Sequence, residues 1–217
     1  MASRSEYGPW GSLKRVKGIV NECAEEMARM GYAVLYKKLD DGVLPQHIAA
    51  GAQNLFNRAN IGLYVGHSLA AKDAEQGFIW KQSYVPIYNS AVDTMSWPGT
   101  SDMNFGSDYL KWMAFFSCNI LRDEQYRTDG LYGQMKNFFA LPLNGRLHVL
   151  QGYATEMSVH PDFAALWTIA LRGSPLVSSA NHSVIGAWNY ACRNTQPAGS
   201  PTDPVNVARS VFWPACQ

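Results

Sequence analysis

The chain alternates amphipathic helical segments with short runs that are apolar at nearly every position, and this restricts the fold more than any other feature. A helix lying on a sheet needs one apolar stripe, whereas a strand covered on both sides has no polar side to show. From Leu13 to Met30, apolar residues at Leu13, Val16, Ile19, Val20, Cys23, Met27 and Met30 recur three and four apart. A helix is expected there, stopped by Gly31. Tyr32 to Leu39 reads as a strand closed by Asp40-Asp41-Gly42, and Pro45 to Ala59 as a second helix with proline in its first turn. Ile61 to Val65 (IGLYV), Leu110 to Ser117 (LKWMAFFS) and Leu147 to Gln151 (LHVLQ) are expected as strands. Further helices are expected at Gly133–Phe139, Asp162–Leu171 and Ser178–Arg193. The pattern specifies an α/β fold: a mostly parallel sheet with helices on both faces, in three layers.

Composition narrows the function. Of the 217 residues 47% are apolar and 16% charged, so there is ample surface to bury and disorder is not expected. Eighteen Lys plus Arg against 17 Asp plus Glu leave a net charge of +1, which provides no basic field for gripping nucleic acid. No apolar run approaches the roughly 20 residues of a membrane-spanning helix. Met1 to Gly11 shows neither a signal-peptide nor a transit-peptide pattern, and compartment stays open. Oligomeric state stays open as well. Without an internal repeat or a dividing linker, one α/β domain over 1–217 is expected.

Two stretches depart from the alternation. Ala71 to Tyr109 carries Phe78, Trp80, Tyr84, Tyr88, Trp97, Phe105 and Tyr109. It is expected either to fold over the strand ends as one wall of a pocket or to form a small satellite sheet that serves stability. Thr195 to Gln217 holds Pro197, Pro201, Pro204 and Pro214 and is expected to wrap the surface without regular structure. The four cysteines, Cys23, Cys118, Cys192 and Cys216, lack the spacing of a zinc site and the density of a disulfide scaffold; a Cys192–Cys216 bridge is one option in an exported protein. Asn181-His182-Ser183 fits the glycosylation sequon, which reads as a chance match.

Open α/β sheets place ligands beyond the carboxyl ends of their strands. Two reactive side chains occupy such ends: His67, after IGLYV, and Cys118, after LKWMAFFS. On neighbouring parallel strands they would emerge side by side, suited to nucleophilic catalysis in which Cys118 attacks a carbonyl carbon and His67 takes the thiol proton. The backbone N–H groups of Ser68 and Cys118 are candidate oxyanion donors. Each residue also has an ordinary structural reading, as a core thiol and a hydrogen-bonded histidine. Trp80, Trp97 and Asp108, from the aromatic stretch, are the candidates for contacting substrate.

These residues carry a resemblance. GLYVGHS (Gly62 to Ser68) and SDYLKWMAFFSCNIL (Ser107 to Leu121) resemble the histidine and cysteine blocks of the caspase–gingipain–legumain clan of cysteine peptidases. With LHVLQGYAT (Leu147 to Thr155) and SVIGAWNYAC (Ser183 to Cys192), they are similar to a family of uncharacterised bacterial proteins known as a domain of unknown function. The resemblance spans about Tyr32 to Cys192. It implies a caspase-like sheet, His67 as catalytic histidine, Cys118 as nucleophile and a peptide or small acyl substrate. The chain departs from the clan in having Ser68 where glycine is usual, Phe116-Ser117-Cys118 in place of Gln-Ala-Cys, and only Ser5 to Trp10 to supply the strand before the first helix.

Two other readings stay open. Gly66-His67-Ser68-Leu69-Ala70 looks like the nucleophile elbow of a serine esterase of the α/β-hydrolase type, with Asp162 and His182 completing a triad. Alternatively, the domain is a catalytically inactive binding module that presents its aromatic stretch to a partner. His47, His148 and His160 read as structural. No metal-binding or nucleotide-binding motif occurs, so no cofactor is expected.

Overall fold

The computed structural model describes residues 1–5, 7, 12–48, 54–72, 80–85, 87–89, 92–96, 105, 108–118, 147–153, 157–179, 182–196 and 208–212. Strand β1 (Ala2–Ser3) leads to helix α1 (Val16–Arg29) and strand β2 (Lys38–Leu39). Next come β3 (Ile61–Val65), β4 (Leu69–Lys72), β5 (Trp80–Tyr84), β6 (Ile87–Asn89) and β7 (Thr94–Ser96). The remainder comprises β8 (Trp112–Phe116), β9 (Val149–Tyr153), α2 (Phe163–Leu171), α3 (Val184–Thr195) and β10 (Ala208–Phe212).

The main sheet has the order β10-β9-β8-β3-β1-β2. Its strands are parallel apart from β10, which runs antiparallel to β9 at the edge. This is the expected α/β architecture with a mostly parallel sheet. Because β3 and β8 are buried from both sides, their side chains divide between two apolar clusters. Leu63, Val65, Ala114 and Phe116 point into the first, with the apolar stripe of α1 and with Phe163, Trp167 and Trp188 of α2 and α3. Tyr64, Met113 and Phe115 point into the second, against Val43, Ile48, Phe56, Val85, Ile87 and Phe105. The three described helices all pack in the first cluster; the helix expected at 133–139 lies outside the described residues.

Several elements match the periodicity. Helix α1 buries Val16, Ile19, Val20, Cys23 and Met27 and gives way at Gly31, whose φ of 87° is the left-handed region that glycine enters without strain. Helix α3 is capped by Ser183, whose hydroxyl accepts from the Gly186 N–H.

Others differ. The helix expected over 45–59 is replaced, among the described residues, by 3-10 turns at Pro45–His47 and Phe56–Arg58. Asn54 explains part of this, since its side chain accepts from the Phe56 N–H and donates to the Ile48 carbonyl, competing with helical bonds. The strand expected over 32–39 pairs, among the described residues, only at Lys38–Leu39, opposite Ala2 and Ser3. The tail expected to be irregular contributes β10, whose ARSVF sequence adds an edge strand between Pro204 and Pro214. The described strand ahead of α1 is β1; most of Ser5–Trp10 lies outside the described residues. The aromatic stretch supplies two small antiparallel pairs, β4–β5 and β6–β7, while Val85, Ile87 and Phe105 fill the second cluster.

Candidate active site

Strands β3 and β8 pair in parallel from Ile61↔Trp112 to Val65↔Phe116. His67 and Cys118 each stand two residues beyond the last pair, at the same level on adjacent strands. Adjacent strands lie about 4.8 Å apart, so the register alone makes the two turns neighbours. Two bonds keep them so past the sheet. The Gly66 N–H donates to the Phe116 carbonyl at 3.3 Å, extending the ladder by one step, and the Ser68 hydroxyl donates to the Cys118 carbonyl. The third strand end joins them: beyond β9, the Met157 N–H donates to Cys118 Sγ at 3.4 Å. The segments that follow three neighbouring strands thus meet at Cys118, on its carbonyl and its thiol, at the carboxyl edge of the sheet.

His67 is held by a residue sixty positions away. Its backbone N–H donates to the Tyr7 hydroxyl at 2.7 Å, and the Tyr7 ring meets the imidazole edge-on with centroids 4.7 Å apart. Tyr7 in turn donates to the Arg4 carbonyl at 2.8 Å. Burial pushes the Tyr7 hydroxyl up to about 12, so the proton needed for that bond is retained. Asp40 anchors this segment by accepting from both the N–H and the hydroxyl of Ser5 and by pairing with Lys17; buried Arg4 pairs with Asp41 at 2.9 Å. Burial tends to raise the Asp40 carboxyl, but its bonds from Lys17 and Ser5 outweigh that and hold it below the ordinary range.

Gly66 is required by this arrangement. A Cβ there would stand 2.5 Å from the hydroxyl oxygens of both Tyr7 and Tyr64. Gly66→Ala is therefore expected to cost about 1–3 kcal/mol, as overpacking does. Thermal denaturation checks this, and Tyr64→Phe in the same chain should recover part of the loss by removing one of the two obstructing oxygens.

The burial of His67 lowers its imidazole from the ordinary histidine value, so the ring is neutral at pH 7. In linkage terms the fold favours the uncharged ring. That contribution is complete above pH 6.5 and is lost as pH falls through the lower folded value.

The other sequence candidates are distributed differently. Ser68 is 1% exposed, with its hydroxyl committed to the Cys118 carbonyl. It is followed directly by β4, whereas a nucleophile elbow turns from strand into helix. Asp162 and His182 are not brought together: Asp162 faces His160 at 3.9 Å, and the His182 Nε2 meets the Val177 carbonyl at 3.0 Å. Asp108 precedes β8, with Tyr109 bonded to the Asn57 carbonyl ahead of β3. It therefore stands at the end of that strand opposite Cys118. Trp80 opens β5, and Trp97 lies outside the described residues. His47 and His160 accept local backbone N–H groups, and His148 packs edge-on against Trp112. Cys192 is a buried thiol against the Tyr153 hydroxyl; Cys216 and Asn181 lie outside the described residues.

Tyr7 and Met157 escaped sequence reasoning. Neither belongs to a motif with the residue it contacts, and both contacts arise only when distant strand ends meet.

A family described as "Domain of unknown function (DUF6345)" matches residues 11–210, most of the chain. The chain belongs to this family. No curated protein and no solved structure matches it. The DUF6345 match covers β3, β8 and β9 and thus every strand end that meets at Cys118. Its description assigns no activity and makes no link to the caspase–gingipain–legumain clan. Among the described residues, no helix is long and apolar enough to cross a membrane.

Proposed function

We propose that the chain is a cysteine-dependent hydrolase in which Cys118 is the nucleophile and His67 its base. The observation that carries this reading is the register: two chemically complementary side chains follow aligned residues, Val65 and Phe116, of adjacent parallel strands. The neutral imidazole takes the thiol proton while Sγ bonds to the carbonyl carbon of a peptide, amide or ester. Imidazolium then protonates the leaving amine or alcohol as its bond to carbon breaks. Water, deprotonated by the same ring, cleaves the thioester and restores the thiol. Charge on sulfur meets the Met157 N–H, and the backbone N–H groups of Ser68 and Cys118 serve the oxyanion. The finer likeness to the caspase–gingipain–legumain clan rests on the GHS and SCN strand ends and belongs to this proposal.

The serine-esterase reading has less support, because Ser68 is buried, bonded and followed by a strand. Labelling with iodoacetamide and, separately, with a fluorophosphonate, each followed by mass spectrometry, separates the two. The expected adduct is carbamidomethyl on Cys118 with Ser68 unmodified. A fluorophosphonate adduct on Ser68, or iodoacetamide reacting only at other cysteines, overturns the assignment.

A further inference from the structure

The segment that reaches Cys118 from beyond β9 is gripped by a residue of another element. Residues 157–160 run without helix or strand, and Met157 and Ser158 use their backbones on opposite sides. Met157 turns both its N–H and its carbonyl to the Cys118 Sγ, at 3.4 and 3.7 Å. Ser158 turns both of its groups to the side chain of Gln196. Its N–H donates to Oε1 at 2.8 Å and its carbonyl accepts from Nε2 at 3.0 Å. This is the alternation of an extended strand, with the thiol on one side and a primary amide standing in for a neighbouring strand on the other.

The two sides are coupled through one peptide plane. The carbonyl that meets Cys118 and the N–H that meets Gln196 belong to the same Met157–Ser158 peptide, whose planarity keeps them pointing apart. Rotation of that plane away from Gln196 therefore also turns Met157 away from sulfur. Gln196 itself is well anchored. Its N–H closes the last turn of α3 on the Cys192 carbonyl at 2.9 Å, and Nε2 also reaches Thr195 Oγ1 at 3.4 Å. Trp188, Ala191 and Cys192 bury the helix behind it, and the Met157 side chain packs against the same cluster.

An N–H donor at sulfur favours the thiolate, whereas the carbonyl can serve only the thiol. The N–H contact is the shorter of the two, and it is the one that survives loss of the proton. Of the titratable groups beside the thiol, His67 stands on the aligned turn, and Tyr153 of β9 is kept uncharged by burial.

We infer that Gln196 is a positioning residue for Cys118: its amide grips Ser158 so that the Met157 N–H stays on sulfur and supports the thiolate. The inference rests on Cys118 being the reactive thiol of the proposed hydrolase, and it names a residue of α3 that regulates that thiol without touching it.

The rate of Cys118 carbamidomethylation by iodoacetamide on the 217-residue protein, read by mass spectrometry against pH, tests it. Gln196→Met keeps the length of the side chain and removes both hydrogen bonds to Ser158. Asn194→Ala is the control, since it removes a different bond at the same helix end, from Asn194 Nδ2 to the Tyr190 carbonyl. Gln196→Met should move the acid limb of the profile upward by about one pH unit, slowing alkylation at neutrality about tenfold while leaving the alkaline plateau in place. Asn194→Ala should follow the wild type throughout. Superimposable profiles for wild type and Gln196→Met overturn the inference, as do equal slowing at every pH, a shift shared by Asn194→Ala, or faster alkylation in Gln196→Met. The hydrolase reading fails on a different result, identical profiles for wild type and His67→Ala, so the two failures are told apart.

Discussion

Under the proposed hydrolase mechanism, Cys118→Ala is expected to lower turnover by about 10³-fold or more while the fold survives. The expected loss is large because the adjacent Ser68 hydroxyl, committed to the Cys118 carbonyl, offers no substitute nucleophile. Stability changes little, since Cys118 is only partly buried. His67→Ala is expected to cost about 10²–10⁴-fold, as loss of a general base does. Ser68→Ala should reduce turnover only several-fold, because it removes a hydrogen bond worth about 1 kcal/mol that orients the Cys118 turn. Turnover of a fluorogenic peptide-amide and ester library by the three variants measures this order. Activity surviving Cys118→Ala but lost in Ser68→Ala would reverse the assignment.

The second large effect concerns the support beneath the site. Phe116, the last residue of β8, is fully buried. Its ring stacks on Phe163 at 4.0 Å and 27°, and meets Tyr153 and Trp188 edge-on at 5.8 and 6.4 Å. One side chain thereby joins β8, β9, α2 and α3. Phe116→Ala leaves a cavity that four different elements would have to shift to close, so about 3–5 kcal/mol is expected. For a chain of this size that lowers Tm by on the order of 10 °C. Thermal unfolding of Phe116→Ala beside Phe116→Leu, which keeps most of the volume, checks the magnitude. Since Cys118 lies two residues on, thiol reactivity should fall in the alanine variant and largely return in the leucine variant.

The elements that sequence specified well are those whose burial is one-sided or complete. The α1 stripe and the all-apolar β3 and β8 have few alternatives, and the abrupt polar endings at Gly66-His67-Ser68 and Ser117-Cys118 mark where those strands leave the core. Elements decided by a partner were read less well. Tyr32–Leu39 has strand composition throughout, but β1 pairs with only its last two residues. Residues 45–59 have helical periodicity, yet Asn54 and the cap of His47 on the Leu44 N–H favour tight turns. The same distinction holds at the site. The positions of His67 and Cys118 follow from strand ends, while the contribution of Tyr7 depends on β1 passing beside β3, which no local pattern encodes.

The central claim is that His67 controls the reactivity of Cys118. The rate of Cys118 alkylation against pH, in the wild-type protein and in His67→Ala, tests it most directly. With the imidazole held below its ordinary value by burial, the wild-type rate should remain high at pH 6.5, fall away at lower pH, and lose that acid limb in His67→Ala together with most of its magnitude at neutrality. Superimposable profiles for the two proteins would show that sulfur and imidazole do not act together, and would contradict the account.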